Sequence, residues 1–462
     1  MPSSYAISGM SPVSSKNPYQ PVEIPAQLDS GSTRGESSLF GLSPQKLHTS
    51  LALFDQMVVS GTSFVTTVIV GRSCGTEGLG LFSLAMTSVI LSRGIQESLI
   101  STPYTVFRMR LSGKMSAATH AGGTLVATLL LACLLTVVAV LTASVAGLLT
   151  LAPEVRAIMW MLALTIPCSV LREFARRFDM AQMNMMGALV LDVGVSAIQI
   201  SVLFTLAAGG ALSSSLALAF IGLASAIMVL GWGVVRWKEF KYEPESLGVS
   251  LKHDWSFGRW LLADQMICFA QLYGVYWLLT GMIDPSATGL FAGCASIAAL
   301  AGPFLAGFGN YLSPQFAATV SAGSRRETAL LYWRTTGLLA VAVSIFAFIS
   351  AIFGGDLLRL IYNDASYNGY AAVVGLLAFR MLFGIPALGA HHAVVAMEYP
   401  RGSMNATLVG TVVALVLAVP LIKFYGVLGA AIALITGTGC ETIFLIAVFR
   451  SQFKQWKWDD VD

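Results

Sequence analysis

Charge is what this chain has least of. Lys, Arg, Asp and Glu make up only 11% of its 462 residues, against about 25% in soluble domains. That scarcity excludes a molecule surrounded on all sides by water. The small net charge of +3 calls for no nucleic-acid partner. Catalytic signatures are absent too: there is no HExxH, no GxxxxGK[ST], and no GxSxG in a usable context. No large outer connection is available to house a glycan polymerase or glycosyltransferase site, so an enzyme is not expected. The six cysteines, Cys74, Cys133, Cys168, Cys268, Cys294 and Cys440, form no CxxC and no paired pattern. They are read as small apolar packing residues, and neither a metal nor a cofactor is expected. Behind the N-terminus there is no apolar stretch following a basic start, so no secretory signal is read.

What the chain has in abundance is long apolar runs. It is 56% hydrophobic, and its mean hydropathy is +0.74. A bilayer core about 30 Å thick needs roughly 20 apolar residues per helical crossing. Runs of that kind occupy positions near 49–70, 79–101, 119–146, 156–178, 186–208, 211–235, 257–282, 287–311, 328–353, 371–396, 403–422 and 425–449. They are continuous and do not alternate with period two, which predicts helices and not a barrel. The expected fold class is all-α: a polytopic membrane protein of about twelve transmembrane helices. The expected divisions are a disordered tail at 1–46, six-helix units at 47–236 and 257–450, a linker at 237–256 and a short tail at 451–462.

The two units repeat one another. Asp55-Gln56-Met57 recurs as Asp264-Gln265-Met266, and Gly80-Leu81-Phe82 as Gly289-Leu290-Phe291, both 209 residues on. Ile166-Pro167 matches Ile385-Pro386, and Met183-Asn184 matches Met404-Asn405, at slightly larger offsets. Six helices per unit make the repeats parallel, related by an axis along the membrane normal. Two such lobes around a central cavity are how carriers alternate access.

Orientation follows from the basic residues. Of the 27 Lys and Arg, only Arg72, Arg156, Arg359 and Lys423 fall in one set of connections, while Arg93 and Arg380 lie within apolar runs. Nearly all the others share the opposite set with the N-terminus, so both termini are expected in the cytoplasm and the protein in the inner cell membrane. Trp232, Trp237, Trp255, Trp260, Trp456 and Trp458 fall at that same level as an aromatic belt.

The stretch Ser60-Gly61-Thr62-Ser63-Phe64 through Gly71-Arg72, the turn Gly75-Thr76-Glu77-Gly78-Leu79-Gly80-Leu81-Phe82, and the small-residue second helix resemble the opening of polysaccharide flippases. That family sits in the superfamily that also holds multidrug and toxin extrusion carriers. The resemblance implies a V-shaped pair of six-helix lobes. It also implies a polyprenyl-diphosphate-linked oligosaccharide as cargo, moved to the outer leaflet for surface polysaccharide synthesis, with membrane lipids and polysaccharide polymerase machinery as partners. The long N-terminal tail and twelve helices in place of fourteen depart from many relatives.

Charges inside apolar runs supply the site candidates, because Arg at a helix centre costs about 2.5–3.5 kcal/mol on insertion scales. Arg93 either pairs with Glu97 one turn away or lines the cavity and meets an anionic cargo group. Arg380 has no carboxylate three or four residues away and precedes Gly384 and Pro386, where a kink would open backbone to a cavity. A guanidinium fork suits a diphosphate. The first and seventh helices carry polar stripes, including Thr62, Thr66, Gln271, Tyr273 and Tyr276. Asp55 and Asp264 are candidates for coupling to H+ or Na+, or else are solvated near the basic connections. Glu97 is a further coupling candidate. Asp192 and Glu441 are lone acids in apolar helices, each a coupling candidate or a partner for Arg380. His391-His392 reads as interfacial. The alternative function is an ion-coupled antiporter of drugs or other small molecules from the same superfamily. A major-facilitator carrier lacks support, because its basic Gly-Asp-Arg-rich loop is missing after the second helix. A scaffold without transport would leave the repeated polar stripes unexplained.

Overall fold

The computed structural model describes residues 44–108, 116–149 and 152–458. The expectation for the tail at 1–46 therefore falls almost wholly outside the described residues. Within them the chain is built from helices. Helix α1 (Pro44–Gln96) is two limbs meeting at Gly75, whose φ of 69° and ψ of −173° only glycine adopts without strain. Its second limb runs on through a π-helical segment, Glu97–Ser101, into α2 (Thr102–Arg108). Then come α3 (Ala117–Leu148), α4 (Pro153–Ala181), α5 (Met185–Ala208) and α6 (Ser214–Arg236). The second half repeats this with α7 (Pro244–Met282), α8 (Pro285–Ala298), α9 (Gly302–Ser321), α10 (Arg325–Tyr362), α11 (Ala371–Ala396) and α12 (Pro400–Gln455). Helices α8 and α9 form one crossing, and α12 is again two limbs, bent at Gly426 (φ 57°). Counting the limbs separately, the described residues make twelve crossings.

Nine described helical stretches are long and apolar enough to span a bilayer, with the doubled α1 and α12 counted once each. Helix α7 is long enough but does not reach the same hydropathy, because Asp264, Gln265 and Gln271 lie within it. It also begins well before the expected 257. A 3-10 turn at Trp237–Glu239 is followed almost at once by Pro244, which starts the helix in its first turn. Little of the expected linker 237–256 is loop. Its first part is tied down: the Lys241 amide donates to the Ala118 carbonyl at 3.0 Å. Phe240 sits against Trp232, Phe174 and Phe178.

Packing shows how the lobes meet. The end bearing most Lys and Arg is called the basic end here, the other the far end. One buried core at the far end is shared by both halves, joining Val70, Leu79 and Phe82 to Phe291, Tyr362 and Tyr367. Toward the basic end the cores separate. One lies wholly in the second half, around Phe316, Tyr332 and Phe449. Another lies in the first, around Tyr104, Phe174 and Phe178. The two lobes are fused at the far end and keep separate cores toward the basic end, where they still touch along α7. On one side, called the rear, α7 lies against the second limb of α1. Gly94 gives room there for Gln265, and Gly258 for the Ser98 carbonyl. On the front, the first limb of α1 and the α8–α9 crossing flank a slot, which Leu53 crosses to reach Gly307.

Candidate functional site

Where the limbs diverge, a chamber of about 460 Å³ lies between the lobes. From the first lobe it is lined by Thr62, Ser63, Thr66, Arg93, Arg172 and Gln199, and from the second by Tyr273, Tyr276, Ser296 and Arg380. Its walls are held by polar contacts within each lobe. Gln199 Nε2 donates to Thr66 Oγ1 at 2.7 Å, joining α5 to α1. Thr62 Oγ1 donates back to the Val58 carbonyl at 2.7 Å, a common way for a membrane helix to absorb a hydroxyl. Trp277 Nε1 donates across the lobes to Thr87 Oγ1 at 3.1 Å.

Three arginines in one chamber need an account, since each must be solvated, paired or ready for a ligand. Arg172 is paired: Nη2 lies 2.6 Å and Nε 3.2 Å from Asp192 Oδ1. It belongs to a buried network on the basic half of the first lobe. Arg176 bridges Asp192 Oδ2 (2.6 Å) and Asp55 Oδ2 (2.8 Å). Arg177 bridges Glu173 (2.8 Å) and Glu97 (2.5 Å). The network thus holds four carboxylates and three arginines, one positive charge short of balance. Yet Arg93 makes no ion pair among the described residues, and its buried Nε has no hydrogen-bond partner.

In the second lobe, Arg380 Nε donates to Thr438 Oγ1 at 2.9 Å. No carboxylate lies within ion-pairing distance of it among the described residues, although Glu441 is one turn further along α12. Glu441 is held instead by neutral donors, Gln271 Nε2 at 2.5 Å and Thr407 Oγ1 at 3.0 Å. Below it, His391 Nδ1 lies 2.5 Å from Ser403 Oγ.

These positions correct several expectations. The Arg93–Glu97 pair does not form, because the π-helical segment begins at Glu97 and turns that side chain away to Arg177. Asp55 is not solvated near the basic connections; it is 2% exposed and ion-paired. Asp192 is not the partner of Arg380, since it sits in the other lobe between Arg172 and Arg176. Gln271 does not face the chamber, because Glu441 draws it into the second lobe. Thr62, Thr66, Tyr276, Arg93 and Arg380 do line the chamber. Asp264 is half-buried lower on α7.

Arg172 and Gln199 were not singled out from the sequence. The signal for Arg172 was present in the run Arg172-Glu173-x-x-Arg176-Arg177, too charged for a membrane helix unless acids face it.

A second cavity, about 1090 Å³ and mostly apolar, adjoins the chamber on the front. It lies between the first limb of α1 and the α8–α9 crossing, walled by Leu53, Met57, Phe64, Pro303, Phe304 and Tyr311. The two cavities share Val59, Ser63, Thr67, Ser296 and Ala299, so slot and chamber are continuous.

No family model matches the chain, and no curated protein matches it. Solved structures do. An inward-facing multidrug resistance MATE family transporter of the MOP superfamily has a TM-score of 0.68 at 13% identity, over 87% of this chain and 95% of that one. A MOP superfamily transporter from Pyrococcus furiosus, reported with a binding pocket of reversed polarity that suggests a different function, has a TM-score of 0.66 at 12% identity, over 90% and 97%. A MATE protein in complex with MaL6 has a TM-score of 0.64 at 15% identity, over 90% and 98%. This chain has the fold of the MATE transporters of the MOP superfamily, two helical lobes around a central chamber.

Proposed function

We propose that this protein is an alternating-access export carrier for small anionic amphiphiles, coupled to H+ or Na+. The observation that carries this reading is the interlobe chamber holding Arg93 and Arg380 with no carboxylate among the described residues paired to either. An acidic or aromatic chamber would suit cationic cargo. A guanidinium on each lobe suits a carboxylate, sulfonate or phosphate. The fold neighbours favour the small-molecule antiporter, which was the alternative reading of the sequence, over the lipid-linked saccharide flippase. The Pyrococcus furiosus relative indicates that pockets on this fold differ in polarity.

The retention of Lys and Arg on the cytoplasmic side of membranes supports a cytoplasmic basic end. With the far end closed, the chamber then faces inward. Coupling is assigned to Glu441, with Asp264, about two turns from Gln271 along α7, as the second candidate. Asp55, Glu97 and Asp192 are engaged by arginines, and an ion would first have to break those pairs. In the second lobe the donors to Glu441 among the described residues are neutral, which leaves it free to exchange a cation.

The flippase reading is kept for one observation, the apolar slot that leads from the chamber toward lipid between α1 and α8–α9. A polyprenyl tail would fit such a slot while its diphosphate met the arginines.

The test uses inverted membrane vesicles loaded with the protein, a sulfonated fluorophore and a quaternary ammonium fluorophore of similar size. Gradient-driven uptake of the anionic probe alone is expected. Preferential uptake of the cation would overturn the anionic assignment. Uptake of neither, together with accumulation of lipid-linked saccharide in cells lacking the protein, would move the conclusion to the flippase.

A further inference from the structure

The front seam, which holds the slot along its length toward the basic end, is closed at its far end by a guanidinium bonded to backbone carbonyls of the other lobe. Arg72, near the far end of the first limb of α1, reaches across to the last turn of α10. Its Nε donates to the Ile361 carbonyl at 2.5 Å and its Nη2 to the Leu360 carbonyl at 2.6 Å. The final carbonyls of a helix have no partner within it and carry the negative end of its dipole, so a guanidinium is well matched to them. Helix α10 ends there because Asn363 takes the left-handed conformation (φ 52°), which leaves those carbonyls pointing outward.

The neighbouring residues continue the closure inward. Tyr362 lies against Gly71, where a Cβ would come within 2.6 Å of the ring. It stacks on Tyr367 with centroids 4.6 Å apart. Its hydroxyl meets Ser296 Oγ at 2.8 Å, and Ser296 lines both slot and chamber. The series Arg72, Tyr362, Ser296 therefore runs from the far surface to the chamber along one seam. It is one-sided: the residue 209 positions after Arg72 is Gly281, which has no side chain to offer the opposite seam.

We propose that Arg72, the terminal carbonyls of α10 and Tyr362 form the outer gate of the front seam, and that cargo leaves where this gate opens. Release needs only that the first limb of α1 draw away from α10. The close backbone approach of Gly80, on the second limb of α1, to Pro285 and Gly289 of α8 would then serve as the pivot. The inference rests on the alternating-access reading and is independent of what the cargo is.

The test reads conformation directly. Ser63 lines the chamber and is accessible from the slot. In a chain whose six cysteines are replaced, Ser63→Cys is labelled with a charged, membrane-impermeant maleimide from each side of the vesicle. Losing two charge-assisted hydrogen bonds should shift the open-to-closed ratio, and so far-side labelling, by about tenfold or more in Arg72→Ala. Arg359→Ala is the control. It stands at the same level but bonds Asn368 within its own lobe at 3.0 Å, so its labelling should match the parent. Should Arg72→Ala not insert stably, Arg72→Gln removes the charge and keeps the bulk.

Far-side labelling of the Arg72 variants at the parental rate would overturn the gate. So would an equal rise in Arg359→Ala, which would mean general loosening of the far end. If the Ser63→Cys parent is labelled from the far side and never from the basic side, the inward-facing reading fails instead. That result is distinguishable, because it appears before Arg72 is changed.

Discussion

Gly80 and Gly289 lie backbone against backbone where the two lobes cross at the far end. A Cβ on Gly80 would stand 1.8 Å from the Pro285 carbonyl oxygen, and one on Gly289 would stand 1.8 Å from that of Thr76. Each glycine would also have the other's amide nitrogen at 3.0 Å. Thr76 and Pro285 are themselves 209 residues apart, as are the glycines. The contact is thus its own mirror under the internal repeat, a two-fold crossing of the second limb of α1 with α8. The Gly-Leu-Phe motif repeats because the same surface is used twice, once from each side.

Any side chain at either position meets backbone, which cannot swing aside as a side chain can. Gly289→Ala should therefore destabilise the far-end junction at the upper end of the usual range for overpacking, about 3 kcal/mol or more. Gly281→Ala, with open space around it, should stay near the parent. Thermal unfolding of the purified proteins in one detergent measures the difference. Equal melting temperatures for the two variants would mean that the lobes part there without cost.

Arg380→Ala should abolish transport of anionic cargo while leaving expression near normal, because among the described residues the side chain is tied to its lobe by one hydrogen bond, to Thr438. Arg380→Lys should recover only part of the rate. Lysine keeps the charge and loses the planar fork. Vesicle uptake and equilibrium binding of the anionic probe are measured side by side. Full transport by a stable Arg380→Ala protein would remove this residue from the site.

The helices and their pairing were legible in the sequence because lipid imposes one rule on every crossing, long apolar runs, and because the repeat marked equivalent points. Arg380 was legible for a related reason: a lone cation in an apolar helix has few structural explanations. Arg172 and Arg176 were not. Their role depends on Asp192 and Asp55, on helices that only tertiary packing brings together, and basic residues near a helix end read equally well as topology signals. Gln271 was misread because a polar stripe shows which side of a helix is wet without showing which lobe claims each residue. The break at Glu97 escaped notice because one extra residue in a helical turn leaves no compositional trace.

The buried network on the first lobe holds the structure together, and its members differ in what their loss should cost. Asp192 is fully buried and serves two arginines. Asp192→Ala leaves both with unmatched charge, and removing one partner of a buried pair costs about 3–5 kcal/mol. The Arg177 side chain is 36% exposed, so Arg177→Ala should cost on the order of 1 kcal/mol or less. Melting temperatures of the two variants should rank in that order. The reverse ranking would mean that Asp192 is solvated and that the lobe opens to water on this side.

Glu441 offers the cleanest separation of coupling from folding. Its carboxylate accepts from Gln271 and Thr407 and pairs with no cation among the described residues. Glu441→Gln keeps the shape, since the amide oxygen can still accept from Gln271 and its NH2 can turn to the Thr407 hydroxyl. Stability should change by about 1 kcal/mol or less. What the amide cannot do is gain or lose a proton, or neutralise a sodium ion. Downhill exchange of cargo across the vesicle should therefore survive in Glu441→Gln, while accumulation against a gradient, driven by an imposed pH or sodium step, should disappear. If accumulation persists, the driving ion is bound elsewhere, and Asp264, half-buried lower on α7, is the acid to change next. If downhill exchange is lost as well, Glu441 helps to hold the cargo through Arg380, and its coupling role fails.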